Sequence, residues 1–143
     1  MKLFAISLLA TAVTATAASG SSQIYRTFKT PTGNIRCAYE ATRGHLNQAV
    51  LRCDIGTGLK PRVRRPKGCD FDFGSTLILP VRGRARIGCV SDAIAPVKRV
   101  LRYGQDWRAG PFLCASKRAG LYCSNRSGNA FFLSKQRWYR YRF

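Results

Sequence analysis

The chain predicts an all-β fold, a small disulfide-stapled antiparallel barrel or sandwich, and three observations carry that expectation. Apolar and polar residues alternate with period two in one segment after another, as half-buried strands do. Clusters of Gly, Pro, Asn and Ser separate these segments at short intervals. Six cysteines, Cys37, Cys53, Cys69, Cys89, Cys114 and Cys123, fall within or beside them. With no CxxC pair and His45 as the only histidine, the cysteines suit three disulfides rather than a tetrahedral metal site, so neither metal nor cofactor is expected.

The order of elements begins with a leader. Met1-Lys2 precedes an apolar run over 3–10, and small residues end in Ala15-Thr16-Ala17-Ala18, the pattern of a signal peptide. The expected organisation is a signal peptide at 1–18 and a single secreted β-rich domain at 19–143, extracellular or periplasmic. No later apolar stretch is long enough to span a bilayer.

Within the domain, Ile35, Cys37 and Tyr39 share one face of a strand over 34–39, and Leu51, Cys53 and Ile55 one face of a strand over 50–55. A polar loop at 41–48 would make them a hairpin, with Cys37 and Cys53 bridged across it. A second hairpin joins 112–116 to 121–125 through Lys117-Arg118-Ala119-Gly120, pairing Ser116 with Leu121 and Cys114 with Cys123. Elimination leaves Cys69 with Cys89. Further strands are expected at 75–79, 81–89 and 130–134, with Pro80 marking an edge or a bulge, and a short helical turn near 93–101.

Charge bounds the function. Against 6 Asp and Glu stand 25 Lys and Arg, a net charge of +19, or +18 once Lys2 leaves with the leader. Such a field gathers anions, so the expected partner is an anionic polymer or surface: nucleic acid, an acidic envelope glycan, or anionic lipid met by peripheral membrane contact. Arginine supplies most of the excess. Its planar fork suits phosphate and carboxylate, although a GC-rich genome enriches arginine without function.

Three segments concentrate the charge. KPRVRRPK offers Lys60, Arg62, Arg64, Arg65 and Lys67 in a stiff loop flanked by prolines. VRGRARIGC would place Arg82, Arg84 and Arg86 on one strand face at about 6.6 Å intervals, near the phosphate repeat of a nucleic-acid strand. The tail KQRWYRYRF interleaves Arg137, Arg140 and Arg142 with Trp138, Tyr139, Tyr141 and Phe143. Read as a final strand, it would turn Tyr139, Tyr141 and Phe143 toward the core and leave the arginine face open for ligand.

Catalysis has thin support. His45 lies in a loop, Asp70 and Asp72 share a face among arginines, and no GxSxG or HExxH motif is present. The leading expectation is therefore a non-enzymatic exported module for polyanions. The alternatives are a cationic antimicrobial or toxin-like protein, and a small secreted hydrolase.

The segments FKTPTGNIRCAY, VLRCDIGTGLKP, RPKGCDFDFG, GRARIGCVSD, VLRYGQDWRAGPFLC and GLYCSNRSGNAFFLS, in that order, resemble a family of small exported bacterial domains of unknown function. The resemblance runs from Phe28 to Ser134 and implies secretion, one domain and structural cysteines. It implies no activity. Where many members carry His-Gly, this chain has Asn129-Ala130.

Overall fold

A computed structural model describes residue 20 and residues 22–143; the expected signal peptide at 1–18 lies outside the described residues. Ten strands follow in order: β1 Gln23–Lys29, β2 Ile35–Thr42, β3 Val50–Ile55, β4 Asp72–Pro80, β5 Arg86–Val90, β6 Asp106–Ala109, β7 Phe112–Lys117, β8 Gly120–Asn125, β9 Asn129–Leu133 and β10 Trp138–Arg142. They form two antiparallel five-stranded meanders, β1-β2-β3-β4-β5 and β10-β9-β8-β7-β6. The sheets remain separate, so the architecture is a sandwich rather than a barrel. Among the described residues no helix is long and apolar enough to cross a membrane.

Alternation explains how the sheets meet. Ile35, Cys37, Tyr39 and Ala41 of β2 point into the same core as Leu77 and Leu79 of β4, and Phe112, Leu121 and Phe131 enter it from the second sheet. Phe28 packs on Trp107 with ring centroids 4.7 Å apart, and Tyr39 meets Phe112 edge-on at 6.0 Å, which sets β1 over β6 and β2 over β7.

The bridges are Cys37–Cys53, Cys69–Cys89 and Cys114–Cys123. The first and third join directly opposed residues, each with Cα atoms 4.1 Å apart, and both lie in the shared core. The second hairpin has the expected register, Ser116 opposite Leu121. Its turn is tighter than expected, because Lys117 and Gly120 also pair. Gly120 is required there: a Cβ would stand 2.7 Å from both the Leu133 carbonyl and the Phe132 ring.

Several expectations are corrected. The strand expected from Val81 begins only at Arg86, since residues 81–85 form a loop in which Gly83 has φ +92°. Pro80 ends a central strand, and the irregularity in β4 falls between Phe73 and Leu77. No helical turn forms over 93–101; the one short helix among the described residues is a 3₁₀ turn, Leu46–Gln48. Ile94 and Val97 instead pack on Ala38 at the outer face of the first sheet, while Leu101 enters the main core.

That extended segment is the crossover between the sheets, and a polar cluster pins it. Asp54 Oδ1 accepts from Arg52 Nε at 3.0 Å and Thr76 Oγ1 at 2.8 Å, while Oδ2 accepts from Arg52 Nη2 at 3.0 Å and the Ile94 amide at 2.9 Å. Arg52, almost wholly buried, also donates to the Asp92 carboxylate at 3.3 Å and to its carbonyl. Beyond it the Lys29 amide donates to Arg99 O at 2.9 Å and the Leu101 amide to Lys29 O at 2.8 Å, steering the chain past the β1 edge. Because both oxygens of Asp54 are engaged by these donors, removing Arg52 would leave a partly buried carboxylate without its counter-charge.

Arg52→Ala is therefore expected to lower stability by about 3 kcal/mol in urea unfolding, whereas a distant surface change such as Arg126→Ala should leave the midpoint unmoved. Glu40, on the same outer face, is half-buried; burial first, then Asp92 and Asp54 against the opposing pull of Arg52, raise its pKa above the ordinary value. A carboxyl whose folded pKa is raised costs stability once pH climbs past the unfolded pKa. Glu40→Gln should thus match the parent in acid and exceed it in melting temperature near neutrality.

Candidate functional site

The chain's last strand organises the site. β10 is an edge strand, opposing Trp138 to Leu133, Tyr139 to Phe132, Arg140 to Phe131 and Tyr141 to Ala130. Leu133 and Phe131 belong to the core, so Phe132 and Ala130 face outward, and opposed residues share a face. Tyr139, Tyr141 and Phe143 consequently lie on the outer face of the second sheet. The expectation that these rings pack into the core is overturned: their alternation is real, but β9 fixes which side of it faces in.

The rings form one continuous run. Tyr122 and Phe132 have centroids 4.7 Å apart, Phe132 and Tyr139 stack at 5.0 Å with planes 23° apart, and Tyr139–Tyr141 and Tyr141–Phe143 follow at 5.9 and 6.2 Å. Burial, then the neighbouring Tyr139 and Tyr122 phenols, raise the Tyr141 pKa above its ordinary value. Arg137 sits over Phe132 and Tyr139 at 5.8 and 5.9 Å, and Lys117 over Tyr122 at 5.7 Å. Tyr139 and Phe143 remain 39% and 78% exposed, so the run is open to a ligand.

The other side of β10 lies on the seam between the sheets. Arg140 rests over the Trp138 ring and donates to Ala85 O of the β4–β5 loop at 3.1 Å. The Trp138 amide donates to Lys60 O at 3.1 Å, which seats the start of the basic loop beside the same strand. Arg84, Arg140 and Arg142 line one cleft of about 380 Å³ along this edge, with Trp138, Tyr139 and Tyr141. Two cationic segments distant in sequence thus meet there, and the third begins next to them.

Not every candidate joins them. Arg82 is exposed in the β4–β5 loop, and Arg86, opposite Ile78, projects from the outer face of the first sheet, so the expected three-arginine ladder on one strand is absent. Arg62, Arg64 and Lys67 are exposed on the basic loop, while Arg65 is tied to its base, donating to Cys69 O at 3.2 Å and to Phe71 O. His45 stands at the β2–β3 turn; Asp70 and Asp72 lie at the opposite end of that sheet, where Asp72 pairs with Val90. The histidine and these acids therefore do not meet.

Tyr122, Phe132 and Asn125 are missing from the sequence-derived set. Asn125 is buried and fully bonded: its Nδ2 donates to Pro80 O at 2.9 Å and Gly83 O at 3.0 Å, and its Oδ1 accepts from Ser127 and Asn129 amides at 3.1 Å each and from Ser127 Oγ at 2.9 Å. It thereby fixes the loop carrying Arg82 and Arg84 to the second sheet. The Asn125-Arg126-Ser127 sequon is consumed in this clamp. Gly128, φ +79°, packs so closely that a Cβ would lie 2.6 Å from Phe143 O, and the Phe143 amide donates to Gly128 O at 3.1 Å, which anchors the end of the ring run.

Charge is divided as well. Among the described residues both carboxylate ion pairs belong to Arg52. The second sheet carries one acid, Asp106 at the start of β6 on the edge away from β10, and from Trp107 onward the sequence has eight Lys and Arg and no Asp or Glu, so the β10 side presents cations with no acid beside them in the sheet. Asn125→Ala should cost about 2–3 kcal/mol in thermal or urea unfolding, since several buried hydrogen bonds go at once, and should loosen the β4–β5 loop toward limited proteolysis.

No curated protein and no solved structure matches the chain. A family model spans residues 3–141, nearly the whole sequence, and on that match the chain belongs to the family of unknown function DUF6636.

Proposed function

We propose that this protein is an exported, non-enzymatic binding module that holds an anionic polymer along the edge formed by β10 and the β4–β5 loop. One observation carries the reading: Arg84, Arg140 and Arg142 converge on a single cleft although 56 positions separate the first two in sequence. Arginines that were merely compositional would have no reason to gather. Lys60 begins its loop beside the same strand, so a polymer extended along the edge would meet Arg62, Arg64 and Lys67 next. Three of the six acids, Glu40, Asp54 and Asp92, gather around Arg52 on the first sheet's outer face, and none lines the cleft. An uncompensated surface of this kind attracts polyanions at long range and holds them by counterion release.

Three disulfides suit an oxidising compartment, which agrees with the expected leader. The test is a salt series with heparin and with DNA. Replacing Arg84 and Arg142 by glutamine should weaken binding and flatten the slope of log affinity against log salt on DNA, by about 0.7–0.9 for each arginine that no longer neutralises a phosphate. Arg140 is left in place because its guanidinium holds Ala85 O. Unaltered affinity and slope in the double variant would move the site elsewhere.

A further inference from the structure

We infer that the polymer is single-stranded nucleic acid, its bases stacking on Tyr139, Tyr141 and Phe143 while its phosphates follow Arg84, Arg140 and Arg142. This rests on the polyanion reading above and adds what the charges alone leave open. β10 is an edge strand, so a ligand lying along it reaches both faces at once. One face presents the rings at every second residue, about 6.6–6.8 Å along the strand, and the other presents Arg140 and Arg142 at the same interval, with Arg84 added beside them from the β4–β5 loop. The ring centroids themselves step by 5.9 and 6.2 Å. A single strand has the matching form, with one anionic phosphate and one planar base per repeat.

Other occupants fit less well. A sulfated or carboxylated glycan supplies charge but no π-face, whereas every base has one. A duplex buries its base faces in its own stack, leaving the rings nothing to meet. A second copy laid ring to ring on β10 would bring Arg137, Arg140 and Arg142 against their own counterparts, since the sheet's one acid, Asp106, lies on the opposite edge strand. Arg137 over Phe132 and Tyr139 continues the platform sideways, and Tyr122 backs it, so the exposed rings are held in place before any ligand arrives.

The experiment uses the oxidised, leader-free protein with three probes: oligothymidine, a duplex with the same number of phosphates, and heparin, each titrated by fluorescence anisotropy at low and physiological salt. The variants are Tyr139→Ala with Tyr141→Ala, and Tyr139→Phe with Tyr141→Phe, all checked for unchanged thermal unfolding cooperativity. Oligothymidine should bind more tightly than the duplex, and the alanine pair should weaken it by about tenfold or more per ring while heparin affinity stays within about twofold. The phenylalanine pair should restore oligothymidine binding. Equal loss for heparin and oligothymidine, no loss for either, or parity between single strand and duplex would overturn the inference and leave the cationic edge standing. Failure of the parent to bind any of the three would instead remove the polyanion reading itself. A concentration-dependent dimer in sedimentation that the alanine pair abolishes would put a second copy on the rings and overturn the assignment.

Discussion

The arrangement depends on the pairing of Arg52 with Asp54. The two sheets are separate meanders, and the chain passes from one to the other only once, across residues 91–105. That passage has no regular secondary structure to give it a course. Asp54 supplies one by accepting the Ile94 amide while Arg52 grips Asp92, and Ile94 and Val97 then close over Ala38. From there the bridge to Lys29 delivers Trp107 onto Phe28, so the second sheet is laid on the first by a polar contact made on the far side of the first. A buried charge pair is a poor source of net stability, but it is a strong source of uniqueness when all its hydrogen bonds are made.

Legibility in the sequence follows a physical division. Hairpins such as β2–β3 and β7–β8 are readable because alternation, turn chemistry and a cysteine on each strand agree. β10 also alternates, yet its sidedness comes from β9, whose five residues are buried on both faces and therefore show no period of their own. β1 is hidden because Tyr25 and Arg26 are both exposed in it, and β6 because it is four residues long. Ile94, Val97 and Leu101 mimic helical spacing while serving two different cores, with Pro96 between them.

The same division applies to the site. Its cations are visible as residue types, but their grouping is not, since Arg84 reaches Arg140 only through the fold. Spacing along 81–89 suggests a ladder that Gly83 interrupts by turning the backbone, sending Arg84 and Arg86 to different faces. Asn125 shows the same limit from the other side: a sequon in the sequence, it serves in the fold as a bracket between loops through its amide.

The seam along β10 has a mechanical consequence. Strands within each sheet are joined by ladders, but no ladder crosses between the sheets, and along this edge the layers are joined by individual bonds, Trp138 to Lys60, Arg140 to Ala85 and Asn125 to Pro80 and Gly83. These bonds act as the zip of the molecule. A polymer lying there would span both layers and fasten them, so occupancy and rigidity would rise together.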